Sequence, residues 1–149
     1  MKLIAHRGNL YGPDPLNENK PEYIINSIEK GYDCEIDVRF IDGILYLGHD
    51  SPDYIIDLDF LMFYKDQLWI HCKNLQALDY LITIPDLNIF WHQEDDYTLT
   101  SKGYIWTFPG KLTTTKSIIV MPEWNEFKID QNSHGICSDF VDKLKMYLL

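Results

Sequence analysis

His6-Arg7, Glu35-x-Asp37, His49-Asp50 and His71-x-Lys73 combine, within 149 residues, side chains that bind charge or move protons. Cleaving a phosphodiester requires a cation to neutralise its oxygens, a base to deprotonate the attacking hydroxyl and an acid to protonate the leaving oxygen. These residues supply all three. Glu35 and Asp37 are hard oxygen donors of the kind that suits Mg²⁺, Ca²⁺ or Mn²⁺. His6 and His49 form an acid–base pair whose two roles the sequence leaves interchangeable, and Arg7 and Lys73 are cations for phosphate oxygens.

Such groups meet only if their segments end on one rim. Short apolar runs at 2–7, 34–39, 44–49, 68–73, 88–92, 104–108, 118–122 and 135–139 read as strands, several of them ending in polar, chemically capable residues. Period two puts Glu35 and Asp37 on one face of their strand. Helical patterns lie between the strands. Residues 21–31 have Pro21 at the first helical position, apolar residues three to four apart and Gly31 to close the turn. Residues 57–66 and 75–83 carry Asp57 and Asn74 as candidate N-caps, and 139–148 is a candidate terminal helix. The stretch 93–117 is polar and Thr-rich, so its connections are expected to be short loops or single turns.

Strands alternating with helices imply parallel pairing and a site at the C-terminal strand ends. A complete (β/α)₈ barrel takes about 250 residues. This α/β chain is therefore expected to form a reduced or incomplete TIM barrel, one domain over 1–149 with several outer helices shortened to loops; an open doubly wound sheet is the alternative.

Composition narrows the partners. With 23 acidic and 13 basic residues the net charge is −10, and the basic residues form no stripe, which disfavours nucleic acid or anionic lipid as a broad-surface partner. The opening MKLIAH lacks the apolar core of a signal peptide, and no apolar stretch is long enough to span a bilayer, so a cytoplasmic location is expected. Cys34, Cys72 and Cys137 are odd in number and set in apolar runs, as reduced core thiols are.

The run IAHRG, EN at 18–19, EIDVRFIDG at 35–43 and LGHD at 47–50 resembles the N-terminal signature of the glycerophosphodiester phosphodiesterase family, in order and spacing. The resemblance implies a metal-dependent phosphoric diester hydrolase on a TIM barrel, acting on a small phosphodiester. Carried over residue by residue, it makes His6 and His49 the catalytic histidines and Arg7 the phosphate-binding arginine. Glu18 becomes the glutamate that supports the metal or a histidine, and Glu35 and Asp37 ligands of one divalent ion. IHCK at 70–73 resembles the pattern in which an acidic ligand precedes a lysine by two, so Lys73 carries over while His71 replaces the acid. That replacement removes a negative charge and shifts preference toward Mn²⁺ or Zn²⁺. IWTF at 105–108 and GICSDF at 135–140 resemble later strands of the family.

Other roles stay open at this level. His71 is either a metal ligand or a core histidine bonded to a backbone carbonyl. Trp106 is a candidate wall for the substrate's alcohol or a core residue, His92 a substrate contact or structural, and Glu123 a late acidic ligand or a rim charge. His134 in QNSHG is read as solvated, and Asp139 as a cap of the last helix with Ser138 as the alternative. Two rivals to a small-phosphodiester hydrolase remain: a phospho-ligand-binding module that has lost catalysis, and a hydrolase of a bulkier phosphodiester. The oligomeric state is not legible.

Overall fold

The nine residues DCEIDVRFI form the longest strand because β-branched and apolar side chains alternate with groups that face a polar interior. The computed structural model describes residues 1–148. Its elements in chain order are β1 (Lys2–His6), α1 (Pro21–Glu29), β2 (Asp33–Ile41), β3 (Ile44–Leu47), β4 (Tyr54–Ile56), α2 (Leu58–Phe63), β5 (Leu68–Cys72), α3 (Leu75–Leu81), β6 (Ile89–Phe90), β7 (Tyr97–Leu99), β8 (Ile105–Thr107), β9 (Ser117–Val120), a 3₁₀ turn (Pro122–Asn125), β10 (Gly135–Ser138) and α4 (Val141–Leu148).

Parallel pairing runs in the order β6, β5, β2, β1, β10, β9, β8. The second half of β2 leaves this array to pair antiparallel with β3, which pairs with β4. The curled sheet is an incomplete barrel. No ladder joins β6 to β8; β7 folds back antiparallel on β8 and reaches β6 through hydroxyls and one backbone bond. The Ile89 N–H donates to Ser101 Oγ at 2.9 Å, the Ser101 N–H to the Ile89 carbonyl at 2.8 Å, and the Thr98 hydroxyl to the Trp91 carbonyl at 2.7 Å. The 93–117 stretch, expected to hold only loops outside 104–108, thus contains an additional strand. The 88–92 strand shrinks to two residues.

One apolar layer lies outside the sheet, where α1, α2 and α3 cover β1, β2 and β5 with Ile24, Leu61, Ala77 and Leu81. α4 covers β9 and β10 through Leu144. Asp57 and Asn74 cap α2 and α3 by accepting from the N–H of Phe60 and of Ala77, each cap being worth about 1 kcal/mol. A second layer fills the barrel: Ile4, Trp69, Phe90, Trp106, Ile118 and Cys137 pack together beneath the rim. Below them the Trp69 indole N–H donates to Asp33 at 2.9 Å, and Lys2 pairs with the same carboxylate. His134, expected to be solvated, is half-buried and packs against Tyr104 with ring centroids 4.4 Å apart and the rings tilted by 37°. All three cysteines are buried free thiols. Among the described residues no helix is long and apolar enough to cross a membrane.

Candidate active site

β1 ends in His6, and the chain must then turn sharply. Arg7 takes the left-handed conformation (φ 54°), followed by Gly8 at φ 90°. A Cβ on Gly8 would lie 2.7 Å from Tyr23 Cδ1, so glycine is required for α1 to approach. The Ser27 hydroxyl of α1 donates to the Gly8 carbonyl at 2.7 Å and fastens this turn from outside.

The turn aims His6 and Arg7 into the barrel mouth. His6 Nδ1 lies 2.7 Å from Asp139 Oδ1, which leaves Nε2 facing inward, 3.9 Å from Glu35 Oε2. Burial is the largest single influence on His6 and lowers its pKa. The hydrogen bond to Asp139 and the charge of Glu35 together outweigh burial, so the pKa ends up raised. Asp139, whose pKa burial would raise, is held below the usual carboxylate range chiefly by the His6 bond and charge. Arg7 pairs with Asp37 at 3.2 Å and Glu18 at 3.1 Å.

Glu35 and Asp37 are both buried. Burial raises the pKa of Glu35, with Asp37 adding to the effect. In Asp37 the charge of Arg7 and the hydrogen bond from Asn19, joined by His71 when its ring carries both protons, overcome burial and hold the carboxyl well below its ordinary range. Asn19, also left-handed at φ 62°, clamps Asp37 twice: its amide donates to Asp37 Oδ2 at 2.8 Å, and its carbonyl accepts the Asp37 N–H at 3.0 Å.

His71 is bonded to a backbone carbonyl, and its other ring nitrogen still faces the two carboxylates. Its Nε2 lies 3.1 Å from the His92 carbonyl, an acceptor only, so Nε2 carries the proton. In the neutral ring Nδ1 then offers a lone pair, 3.2 Å from Asp37 Oδ1 and 3.8 Å from Glu35 Oε1. One donor atom from each of Glu35, Asp37 and His71 falls within 4.8 Å of the others, and Asp37 Oδ1 is buried with no hydrogen-bond partner. Facing lone pairs beside an orphaned carboxylate oxygen fit a divalent cation, with the His92 carbonyl fixing the ligand's tautomer.

His49 reaches the rim on the loop after β3. Gly48, at φ 149°, admits no side chain there, since a Cβ would meet the Ser51 carbonyl at 1.9 Å. Arg39 donates to the carbonyls of Gly48 and His49 and holds the loop in place. His49 Nδ1 bonds Asp50 Oδ1 at 2.8 Å, and burial leads the influences that lower its pKa. Lys73, just past β5, lines the same cavity without a carboxylate partner among the described residues.

The cavity, about 650 Å³, brings together His6, Arg7, Glu18, Glu35, His49, His71, Lys73 and Trp106, with Asp37 directly behind. Trp106 is both wall and core: it lines the cavity yet is 5% exposed and packs on Phe90 at 4.6 Å. His92 lines it too, and its carbonyl orients His71. Two roles differ from the sequence reading, and two residues of the site carry none there. Asp139 orients His6 rather than capping α4, because its side chain turns inward, where the Asn9 amide also donates to it at 2.8 Å. Glu123 is neither ligand nor free rim charge, since it accepts from the Ser138 hydroxyl (2.9 Å) and the Asp139 N–H (3.0 Å). Asn9 and Asn19 were missed as site residues, although Asn19 lies in the EN pair and Asn9 follows HRG.

No family model matches the chain, and no curated protein matches it in sequence. Solved structures do match in fold, two of them phosphodiesterases by name. A protein from Galdieria sulphuraria provisionally named a glycerophosphodiester phosphodiesterase aligns over 99% of this chain and 97% of its own, with a TM-score of 0.54 and 13% identity. A glycerophosphodiester phosphodiesterase from Parabacteroides distasonis aligns over 99% of this chain and 96% of its own, with a TM-score of 0.52 and 12% identity. The chain therefore has the barrel fold of these two proteins, in reduced form.

Proposed function

We propose that the protein is a metal-dependent phosphodiesterase that cleaves a small phosphodiester, as the names of its two fold neighbours suggest. The observation that carries this reading is the opening of two histidines of opposite pKa shift onto one cavity that also contains a buried Glu–Asp–His donor set.

A divalent ion held by Glu35, Asp37 and His71 supplies, when bound, positive charge to a non-bridging phosphate oxygen. The chain's own groups do the rest. Arg7, tied by Glu18 and Asp37, and Lys73 offset charge on the phosphoryl oxygens as the transition state forms. His49, whose Nδ1 is occupied by Asp50, receives at Nε2 the proton of the attacking hydroxyl, from water or from the substrate itself. His6, protonated through its bond to Asp139, gives its Nε2 proton to the leaving alcohol oxygen.

The test is hydrolysis of bis(p-nitrophenyl) phosphate and glycerophosphodiesters by the purified chain with Mg²⁺, Ca²⁺ or Mn²⁺, beside EDTA and His6→Ala. Turnover that requires metal and His6 is expected. Absence of turnover in every metal, or turnover that survives both EDTA and His6→Ala, overturns the reading and leaves a phospho-ligand-binding module.

A further inference from the structure

The cavity mouth has two chemically different halves. One half, contributed by the loops after β3, β5 and β6, presents Asp50, Lys73 and Gln93. The other half comes from the loops after β8 and β9 and presents Phe108, Pro109 and Trp124. Trp124 is 68% exposed and Phe108 41% exposed. Exposing an indole to water gains nothing by itself, so its placement at the mouth of a polar cavity calls for an occupant.

Trp124 is not a solvated loop residue. It lies in the 3₁₀ turn Pro122–Asn125, bracketed by Met121 at φ 44° and by Glu126 and Phe127 at φ 55° and 53°, all left-handed and none glycine. Such conformations persist only where surrounding contacts over-determine them. The neighbouring Glu123 supplies those contacts, bonding Ser138 and the Asp139 N–H at the end of β10. The element that steadies Asp139 behind His6 thereby holds the indole at the rim.

Glycerol, with a hydroxyl on each carbon, has no broad apolar face to lay on an indole. A pyranose ring has both parts this mouth offers to meet: axial C–H faces that pack on an aromatic plane, and an edge of hydroxyls. Asp50 keeps one carboxylate oxygen beyond its bond to His49, and the Gln93 amide both donates and accepts. We propose, resting on the phosphodiesterase reading above, that the substrate's alcohol is a sugar ring, a pyranosyl phosphodiester, with Trp124 and Phe108 as the wall against which the ring packs.

The test uses the full chain with Mn²⁺ and three diesters in which glycerol phosphate is joined to C1 of glucose, to ethanolamine or to benzyl alcohol. The glucosyl diester is expected to exceed the ethanolamine diester in kcat/KM by at least about tenfold, and Trp124→Ala to collapse most of that ratio through KM, with Phe108→Ala acting in the same direction. Equal kcat/KM on the two, an unaltered ratio in Trp124→Ala, or a preference for the benzyl diester overturns the proposal. A second measurement is independent of turnover: in His6→Ala protein the glucosyl diester should quench tryptophan fluorescence saturably, and Trp124→Phe should abolish the quench. If no diester is hydrolysed in any metal yet this binding is seen, the phosphodiesterase reading falls and the sugar site stands. Hydrolysis of the ethanolamine diester without such binding has the opposite meaning.

Discussion

His6 Nδ1 and Asp139 Oδ1, 2.7 Å apart across 133 residues of sequence, join the end of the first strand to the end of the last. The bond fixes the imidazole tautomer and leaves an anion behind it. Replacing Asp139 with Asn keeps the shape and removes the charge. The expected result is a fall in kcat of about 100-fold, within the range general acid–base catalysis contributes. Because Asp139 helps raise the His6 pKa, the alkaline limb of the pH–rate profile should move to lower pH. An unmoved limb counts against His6 as the acid.

The wild-type profile should be bell-shaped, measured as kcat/KM at saturating metal. His49 must be neutral to accept a proton, and its pKa is lowered from 6.5, so activity rises as pH passes upward through a value below 6.5. His6 must be protonated to donate, and its pKa is raised from 6.5, so activity falls above a value higher than 6.5. The plateau straddles 6.5, the ordinary histidine value. If the two histidines exchanged roles, the bell would keep both limbs and lose only height, because the minor singly protonated form would then be the active one.

Truncating His71 to Ala should weaken Mn²⁺ binding by at least about tenfold, comparable to losses seen when a metal site loses an orienting group. Restoring an acid with His71→Glu should instead recover affinity and favour Mg²⁺ and Ca²⁺ over Mn²⁺, because carboxylate is the harder donor. Isothermal titration with each ion separates the outcomes. Equal Mn²⁺ affinity in all three proteins would remove His71 from the site.

Burial and the neighbouring Asp37 push the Glu35 carboxyl toward its neutral form, a penalty that a cation at this site would relieve. A divalent ion at 100 times its Kd should stabilise the fold by about 2.7 kcal/mol. Differential scanning calorimetry should show a higher Tm with Mn²⁺ and a return to baseline with EDTA. His71→Ala should show a smaller rise at the same concentration.

Gly8 makes the fit between the catalytic turn and α1 possible. Gly8→Ala places a Cβ 2.7 Å from Tyr23 at φ 90°, and a non-glycine residue at such a φ costs about 1–3 kcal/mol. Chemical denaturation should report the loss, with an unaltered midpoint as the contrary result.

Much of the first half of the candidate site was legible because strand period acts locally: Glu35 and Asp37 share a face by alternation alone. The turns at Gly8 and Gly48, whose backbones exclude a side chain, emerge only from the structure. Asp139 was misread because its partner, His6, is distant in sequence; a carboxylate just before a helix looks the same whether it caps that helix or turns inward. His71 is undecidable from sequence for a related reason, since the carbonyl that sets its tautomer belongs to His92, in the loop after β6. The length of the chain pointed correctly to a barrel short of helices. It gave no sign of β7, a three-residue strand whose pairing with β8 depends on tertiary closure rather than on pattern.

The junction between β6 and β8 is the part of the barrel wall that the fewest backbone bonds hold together. Everywhere else in the array neighbouring strands are laced by ladders, whereas here Thr98 and Ser101 span the seam. Local opening of a fold begins where the fewest bonds must break, which makes this the seam's position in the order of opening. The His92 carbonyl that orients His71 lies immediately beyond β6. The seam therefore adjoins the carbonyl that orients His71, and under the phosphodiesterase reading proposed above an ion held at Glu35, Asp37 and His71 would favour the closed wall.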